Sequence, residues 1–271
     1  MFAFATAVLA LLALGTAAMV IIRVAWPAPS PSPLIFRATT GWRLAGIVAG
    51  AAVAVLVARS GDLGRGFLVA GPAFGLTVFA GALIGELTRP GPDGEIRRAT
   101  LRVRRARDYV PRVLGGVVVV STVLLAAIAT VTTAAGSADD LGRAGRALSC
   151  PGLLQTPWPG SYYTLPALAL VAAGLAVAAY ALHRVARGPQ TDSSRRRSAE
   201  VITAAAGILV LLPLAGISLT AGVLLGSTDL TCNTPWWEPA GRSLMVLSLL
   251  AFGTAVWCGA CLLTPSRRSR A

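Results

Sequence analysis

The chain has 271 residues, of which 55% are hydrophobic and only 13% are charged, and its mean hydropathy is +0.70. A soluble domain of this length would be far more polar, and a transmembrane β-barrel would show short alternating segments in place of long apolar runs. All 24 basic residues are arginines and the net charge is +13, so the first question is on which side of a membrane that charge lies.

Apolar runs of about 18 or more residues are candidates for membrane-spanning helices. Several such runs predict an all-α, polytopic transmembrane bundle that forms a single membrane domain over residues 1–271. The first run lacks a basic leader and is too long for a signal peptide, so we expect it to be an uncleaved span. The seven predicted spans cover residues 2–22, 44–58, 67–87, 113–135, 163–182, 201–225 and 244–263.

The second predicted span is the shortest. The proline-rich segment 27–33 predicts a stiff connector before it. Arg43 and Arg59 bound the apolar run, and we expect both side chains to extend to the two membrane interfaces so that the short run can still cross.

Short loops rich in arginine stay in the cytoplasm. An N-terminus outside and a C-terminus in the cytoplasm place most arginines, and nearly all of the net charge, on the cytoplasmic face. This predicts a multi-pass protein of the cytoplasmic membrane and favours no nucleic-acid partner, because orientation alone requires such a pattern. The largest basic cluster is the cytoplasmic loop 88–112, predicted to contact anionic headgroups or a protein partner through Arg97, Arg98, Arg102, Arg104, Arg105 and Arg107.

Pairs of small residues four positions apart allow helix backbones to approach closely. We expect these pairs to pack within one chain rather than to mediate dimerisation. Pro72 and Pro213 lie inside predicted spans and are expected to kink them, and a polar cavity beside them would favour transport. The pairs are Gly46/Gly50, Gly71/Gly75, Gly81/Gly85 and Gly222/Gly226.

Glu86 is the only acidic residue within a predicted span. It lies three residues before Arg89, so we expect the two to pair on one helix face. Paired carboxylates at the centre of a span and metal-binding motifs are missing from the sequence, which predicts no catalytic residues, no metal and no cofactor.

The four cysteines form two groups, one in predicted loops and one in the last predicted span. Cys150 lies in the predicted outer loop 136–162 and Cys232 in the segment between the last two spans, so we predict a disulfide bridge on the oxidising side. Cys258 and Cys261 belong to the sequence WCGAC, which is written like a thioredoxin site. They fall at the C-terminal end of the last span, where the helix dipole disfavours a thiolate, and this argues against a redox role.

Four segments, in this order between spans of this kind, resemble uncharacterised integral membrane proteins of high-GC actinobacteria. The resemblance covers most of the chain and implies an inner-membrane location, but it implies no activity and no site residues. The segments are RRARDYVPR at 104–112, GSADDLGRAGRALSC at 136–150, PWPGSYY at 157–163 and RRRSAE at 195–200.

Three functional hypotheses follow. The first is a non-enzymatic membrane component, either permease-like or an accessory or sensor subunit. The second is a thiol-disulfide oxidoreductase that uses Cys258 and Cys261. The third is a lipid-processing enzyme with Asp139, Asp140 and Asp229 near the headgroups, although we expect these carboxylates to be solvated loop groups.

Overall fold

Long apolar helices dominate the structure, as the hydrophobic runs predict. The computed structural model describes residues 33–60, 62–88, 108–150, 153–187, 191–226 and 236–263. Within these ranges six helices are long and apolar enough to cross a membrane, in agreement with a multi-pass helical protein. The predicted span 2–22 lies outside the described residues. The six are α1 (Pro33–Arg59), α2 (Arg65–Leu87), α3 (Arg112–Ala134), α4 (Ser161–Arg187), α5 (Asp192–Leu225) and α6 (Trp237–Leu263).

Several helices extend beyond their predicted apolar runs. Helix α1 has 27 residues, more than the roughly 20 that a crossing needs, and it begins at Pro33, at the end of the predicted connector. Helix α5 begins at Asp192, so the segment 195–200, predicted as loop, is helical. The side chain of Thr191 caps α5 by accepting a hydrogen bond from Ser194 N. The Asp192 carboxylate lies in the first turn, where it interacts favourably with the positive end of the helix dipole.

Helix α5 is the centre of the bundle. In its most apolar window 67% of the residues are buried, against 22% in α3 and in α4. It packs against α2, α3, α4 and α6, whereas α1 packs mainly against α2. After its charged first turns, α5 is mostly apolar on all sides over residues 201–225, which is typical of a helix surrounded by other helices.

Close helix contacts occur where the small-residue pairs predict them. A Cβ atom built on Gly81 of α2 would lie 2.7 Å from Gly46 Cα of α1, and one on Gly75 would lie 2.6 Å from Leu209 Cα of α5. Gly222 of α5 similarly faces Gly241 of α6. The glycines therefore pack against neighbours in the same chain.

The two intramembrane prolines lie on helices that touch each other. Pro72 is in α2 and Pro213 is in α5. A Cβ atom on Gly71 would lie 3.4 Å from Leu212 Cβ and 3.6 Å from Pro213 N, which is ordinary van der Waals contact. At this level α2 and α5 are packed together.

The predicted outer loop folds into a cap over one end of the bundle. In residues 136–160, which we call the cap, three short antiparallel strands pair in the order β1 (Gly136–Ser137), β2 (Ala147–Cys150) and β3 (Leu153–Gln155). Their registers pair Gly136 with Leu148, and Leu148 with Gln155. The Trp158 indole donates a hydrogen bond to Thr132 O at 2.7 Å, which fixes the cap to the end of α3. The fold is thus helical with a small β-sheet added.

Candidate functional site

The bundle has two chemically different ends. At the arginine end, where α1, α3 and α5 begin and α2, α4 and α6 end, the central residues are Arg43, Glu86, Ser198 and Leu262. At the opposite end, the cap end, Leu148 and Trp158 of the cap pack against the end of α5 and the start of α6. Each end contains a buried carboxylate that binds an arginine.

A buried ion pair joins four helices at the arginine end. Arg43 Nη2 donates a hydrogen bond to Glu86 Oε1 at 2.6 Å, and the two side chains are only 1% and 8% exposed. Arg43 Nη1 donates to Leu262 O at 3.0 Å, and Ser198 Oγ donates to Glu86 Oε2. The prediction for Arg43 was therefore wrong: it does not extend to the interface but points into protein. The structure pairs Glu86 with Arg43. The predicted pairing of Glu86 with Arg89 is not tested, because Arg89 lies outside the described residues.

A second polar group lies at the same end of the bundle. The Arg195 side chain is 2% exposed, and its Nη1 donates to Asp192 Oδ1 at 2.8 Å and to Tyr109 OH at 3.4 Å. Tyr109 OH donates to Asp192 Oδ1 at 3.3 Å, which ties the start of α3 to the start of α5. The guanidinium groups thus bind the carboxylates directly, an arrangement that favours joining helices over acid–base catalysis.

The cap contains its own buried carboxylate. Asp139 Oδ1 accepts hydrogen bonds from Arg143 N at 2.9 Å and Leu141 N at 3.1 Å, and Oδ2 accepts one from the Arg146 guanidinium. Burial alone would raise the pKa of Asp139. The Arg143 amide, the Arg146 guanidinium and the Leu141 amide outweigh that effect and hold the pKa below its ordinary value of 3.8.

Asp139 is therefore a structural residue of the cap. The expectation of a solvated group was wrong for Asp139, whose side chain is 4% exposed, whereas Asp140 is exposed. Asp229 lies outside the described residues. Because both oxygens of the Asp139 carboxylate already accept hydrogen bonds within the cap, this residue is not placed to act on lipid headgroups, which removes support from the lipid-processing hypothesis.

Arg146 connects the cap to the helices below it. Its Nε donates to Tyr163 OH at 3.2 Å, and Tyr163 OH donates to Leu63 O at 3.0 Å. Burial lowers the pKa of Arg146, but the hydrogen bonds to Asp139 and Tyr163 outweigh it and raise the pKa. Asp139, Arg146, Tyr163 and Leu63 therefore form a continuous polar chain from the cap to the turn between α1 and α2.

An apolar cavity of about 370 Å³ lies beside this chain. Its walls come from the turn between α1 and α2, the start of α2, the cap, the start of α4 and the end of α5. Because these segments are far apart in sequence, no local sequence motif predicts the cavity. The residues that line it are Ala58, Leu63, Gly64, Phe67, Leu68, Pro157, Pro159, Tyr163, Thr220, Val223 and Leu224.

The cysteine pair of the WCGAC motif is embedded in the bundle. Cys258 is fully buried and Cys261 is half-buried, and both are free thiols. A Cβ atom on Gly207 would lie 2.8 Å from Cys258 Sγ, so this thiol is packed against the backbone of α5. Such packing is ordinary for a small apolar side chain, and the redox role stays a hypothesis.

The predicted disulfide bridge between Cys150 and Cys232 is not tested by the structure. Cys232 lies outside the described residues, and the side chain of Cys150 is not described, so the bridge stays a prediction. In the described residues, no group of three or more His, Cys, Asp or Glu side chains could hold a metal ion. The basic-loop arginines also lie outside the described residues, namely Arg97, Arg98, Arg102, Arg104, Arg105 and Arg107.

Comparison with known proteins adds no relative to this picture. No protein-family model matches the chain, and neither a curated protein nor a solved structure matches it. The likeness to actinobacterial membrane proteins therefore stays an expectation from sequence, and the candidate function rests on the cavity and the polar groups around it.

Proposed function

We propose that the protein is a non-enzymatic, multi-pass component of the cytoplasmic membrane, of the accessory or sensor type, that binds the apolar chain of a membrane lipid in the cap-end cavity. The observation that carries this proposal is the cavity itself. A volume of about 370 Å³ falls within the range of roughly 300–1,000 Å³ that is usual for small-molecule sites. The walls are mostly apolar, with Tyr163 and Thr220 as the polar exceptions.

The position of the cavity supports a lipid over a water-soluble ligand. It lies where the apolar helices end and the cap begins, which is the level at which lipid chains meet their headgroups. Exposed apolar side chains flank it, including Leu63 on the turn and Val223 on α5. A lipid chain can therefore reach the cavity without leaving an apolar environment.

The remaining polar groups support a non-enzymatic role. Glu86 and Asp139 are both held by arginines, and α2 and α5 are packed together at Pro72 and Pro213. These contacts favour an accessory or sensor component over a permease. They also leave the thiol-disulfide oxidoreductase without a supporting contact in the described part of the chain.

The distribution of arginine supports an orientation. Arg-rich ends face the cytoplasm, so we place the arginine end inside and the cap outside, with the basic loop 88–112 against anionic headgroups or a protein partner. An N-terminus outside requires the span 2–22 to cross as well.

Cysteine accessibility tests the two sides of this orientation. In a background with alanine in place of the native cysteines, single cysteines are introduced as Asp140→Cys in the cap and Arg187→Cys at the arginine end, both at exposed positions. A membrane-impermeant maleimide added to intact cells should label Asp140→Cys at once and Arg187→Cys only after permeabilisation. The reverse pattern would place the cap in the cytoplasm.

Photocrosslinking tests the lipid site. The full chain is reconstituted in vesicles with a lipid that carries a photoactivatable group in its acyl chain, and adducts are mapped by mass spectrometry. We expect adducts on residues 157–163 and 220–224. Thr220→Trp fills the cavity and should abolish them, while Val246→Trp, on an exposed position of α6, should leave them unchanged.

Folding of the variants is checked by thermal unfolding. If Thr220→Trp does not fold, Val223→Trp at the cavity edge replaces it. Equal labelling of the cavity peptides in the filled variant and in the Val246→Trp control would overturn the proposed function, and so would the lack of adducts on these peptides in the unmodified protein.

A further inference from the structure

We infer that the lipid bound in the cavity is an anionic phospholipid whose headgroup binds Arg59 and Arg65. This inference rests on the proposed function, because it concerns the chemistry of the same ligand. It begins from the turn between α1 and α2, which forms one edge of the cavity through Leu63 and Gly64.

The turn brings two helix ends into contact. A short 3-10 helix (Asp62–Gly64) connects α1 to α2, and both Leu63 (φ 61°) and Gly64 (φ 83°) adopt left-handed backbone conformations. A Cβ atom on Gly66 would lie 1.9 Å from Val57 O, so only glycine fits where the helices cross. The last residue of α1 and the first residue of α2 therefore flank the turn whose residues Leu63 and Gly64 line the cavity.

These two residues are Arg59 and Arg65. Arg59 directly follows Ala58, and Arg65 directly follows Gly64, both of which line the cavity. Both arginine side chains are exposed. The turn that borders the apolar cavity is thus flanked by two exposed arginines, each next in sequence to a residue that lines the cavity.

Two other carboxylates of the cap end, among the described side chains, already bind arginines, and Asp140 is exposed. Asp139 binds Arg146 and Arg143, and Glu238 binds Arg242. Among the described side chains, no ion pair involves Arg59 or Arg65. The turn 59–65 contains these two arginines and one acidic residue, Asp62, so it carries a net positive charge that an anionic headgroup complements.

Arg65 is also held close to the cavity wall. Its guanidinium carbon lies 5.0 Å from the centroid of the Tyr162 ring, a cation–π geometry. Tyr162 precedes the cavity residue Tyr163 in the first turn of α4, so the contact keeps Arg65 between α2 and α4. Helix electrostatics does not explain this position, since the dipole disfavours a cation at the first residue of a helix.

The test compares two photoactivatable lipids with the same acyl chain in the full-length protein. One is a phosphatidylglycerol and the other a phosphatidylcholine, each at trace level in phosphatidylcholine vesicles. The double variant Arg59→Gln, Arg65→Gln removes the proposed headgroup contacts. The control Arg143→Gln, Arg242→Gln removes two arginines from the same end at positions away from the cavity lining.

We expect phosphatidylglycerol to label residues 157–163 preferentially in the unmodified protein. Labelling should fall by about fivefold for each arginine removed, the effect of one basic residue near an anionic surface. The control should retain the preference for phosphatidylglycerol, and labelling by phosphatidylcholine should be the same in all three proteins.

Each other result has a distinct meaning. Equal labelling by both lipids in the unmodified protein overturns the anionic headgroup but leaves the lipid site in place, whereas no cavity labelling by either lipid overturns the proposed function itself. An equal loss in the control assigns the effect to general surface charge and overturns the inference. Competition by millimolar inorganic phosphate would identify a site for small anions in place of a lipid headgroup.

Discussion

The two ends of the bundle bury the same kind of ion pair in different ways. At the arginine end Arg43 and Glu86 are 43 positions apart and lie on different helices. In the cap Asp139 and Arg146 are seven positions apart within one loop. The first pair also binds Ser198 and the carbonyl of Leu262, whereas the second also binds the backbone of its own loop.

This difference separates two structural roles. Loss of the Arg43–Glu86 pair affects α1, α2, α5 and α6 together, because each contributes a group to it. Loss of the Asp139–Arg146 pair affects the shape of the cap and its contact with Tyr163, while the helices below keep their own packing. We therefore expect the first pair to control global stability and the second to control local order.

The largest expected effect is that of Glu86→Leu. It leaves the Arg43 guanidinium buried without its carboxylate, which should lower the free energy of unfolding by about 3–5 kcal/mol. Thermal unfolding of the purified protein in detergent measures the change. The double variant Arg43→Met, Glu86→Leu removes both charges and should recover most of the stability, because apolar side chains of similar size replace a buried pair well.

The control for this experiment is Glu238→Gln. This substitution breaks the ion pair with Arg242, in which the side chains of Arg242 and Glu238 are 73% and 48% exposed. The free energy of unfolding should therefore change little. If Glu86→Leu is as stable as this control, or if the double variant is no more stable than the single one, the Arg43–Glu86 pair does not hold the helices together.

The six apolar helices of the described residues could be predicted because they depend on local composition, whereas the pairings between side chains could not. Arg89 lies three positions after Glu86, so the spacing of helix neighbours predicts that these two residues pair. In the folded chain Arg43, which is 43 positions away, binds the Glu86 carboxylate. Arg43 looked like an interfacial residue because the apolar run begins after it. Helix α1 in fact begins at Pro33, which places Arg43 in its interior.

The cap and the cavity show a second limit. Strands of two to four residues are too short to give a recognisable alternation. The cavity depends on segments that meet only in the fold, and residues such as Phe67 and Pro157 have no feature in sequence that marks them. Asp139 and Arg146 are recognisable in sequence as charged residues of one loop. Charged residues in a loop are compatible both with a solvated loop and with a buried ion pair, so the sequence does not distinguish the two.

A smaller effect is expected from Gly81→Ala, which tests how closely α1 must approach α2 for Arg43 to reach Glu86. The new Cβ atom would lie 2.7 Å from Gly46 Cα and 2.8 Å from Trp42 O. These are backbone atoms that cannot rotate away, so α1 has to move. The expected loss is about 1–3 kcal/mol, as for overpacking in a core, measured by the same thermal unfolding.

Gly116→Ala provides the matched control, since Gly116 is also a helical glycine but a Cβ atom there meets nothing within 4 Å. It should be neutral or slightly stabilising because alanine favours helix. Equal stability of the Gly81 and Gly116 variants would mean that the close approach of α1 and α2 is not required.

The most local effect is expected from Asp139→Asn in the cap. Because the pKa of Asp139 is held below its ordinary value of 3.8, the charged form stabilises the folded cap at all pH values above that value. The contribution is lost as the pH falls through the lowered pKa. Hydrogen exchange of residues 136–160, corrected for the intrinsic rate, should therefore be faster in Asp139→Asn at neutral pH, and the difference from the unmodified protein should shrink in acid.

The same experiment separates the two arginines that face Asp139. Arg146 is 11% exposed and reaches Tyr163, whereas Arg143 is 28% exposed and its Nε lies 3.5 Å from Asp139 Oδ2. Arg146→Gln should therefore release the cap as strongly as Asp139→Asn, and Arg143→Gln should do so much less, because the Arg143 amide still donates to Asp139. Faster exchange throughout the helices in any of these variants would contradict a local role, since it would show that the cap and the bundle unfold as one unit.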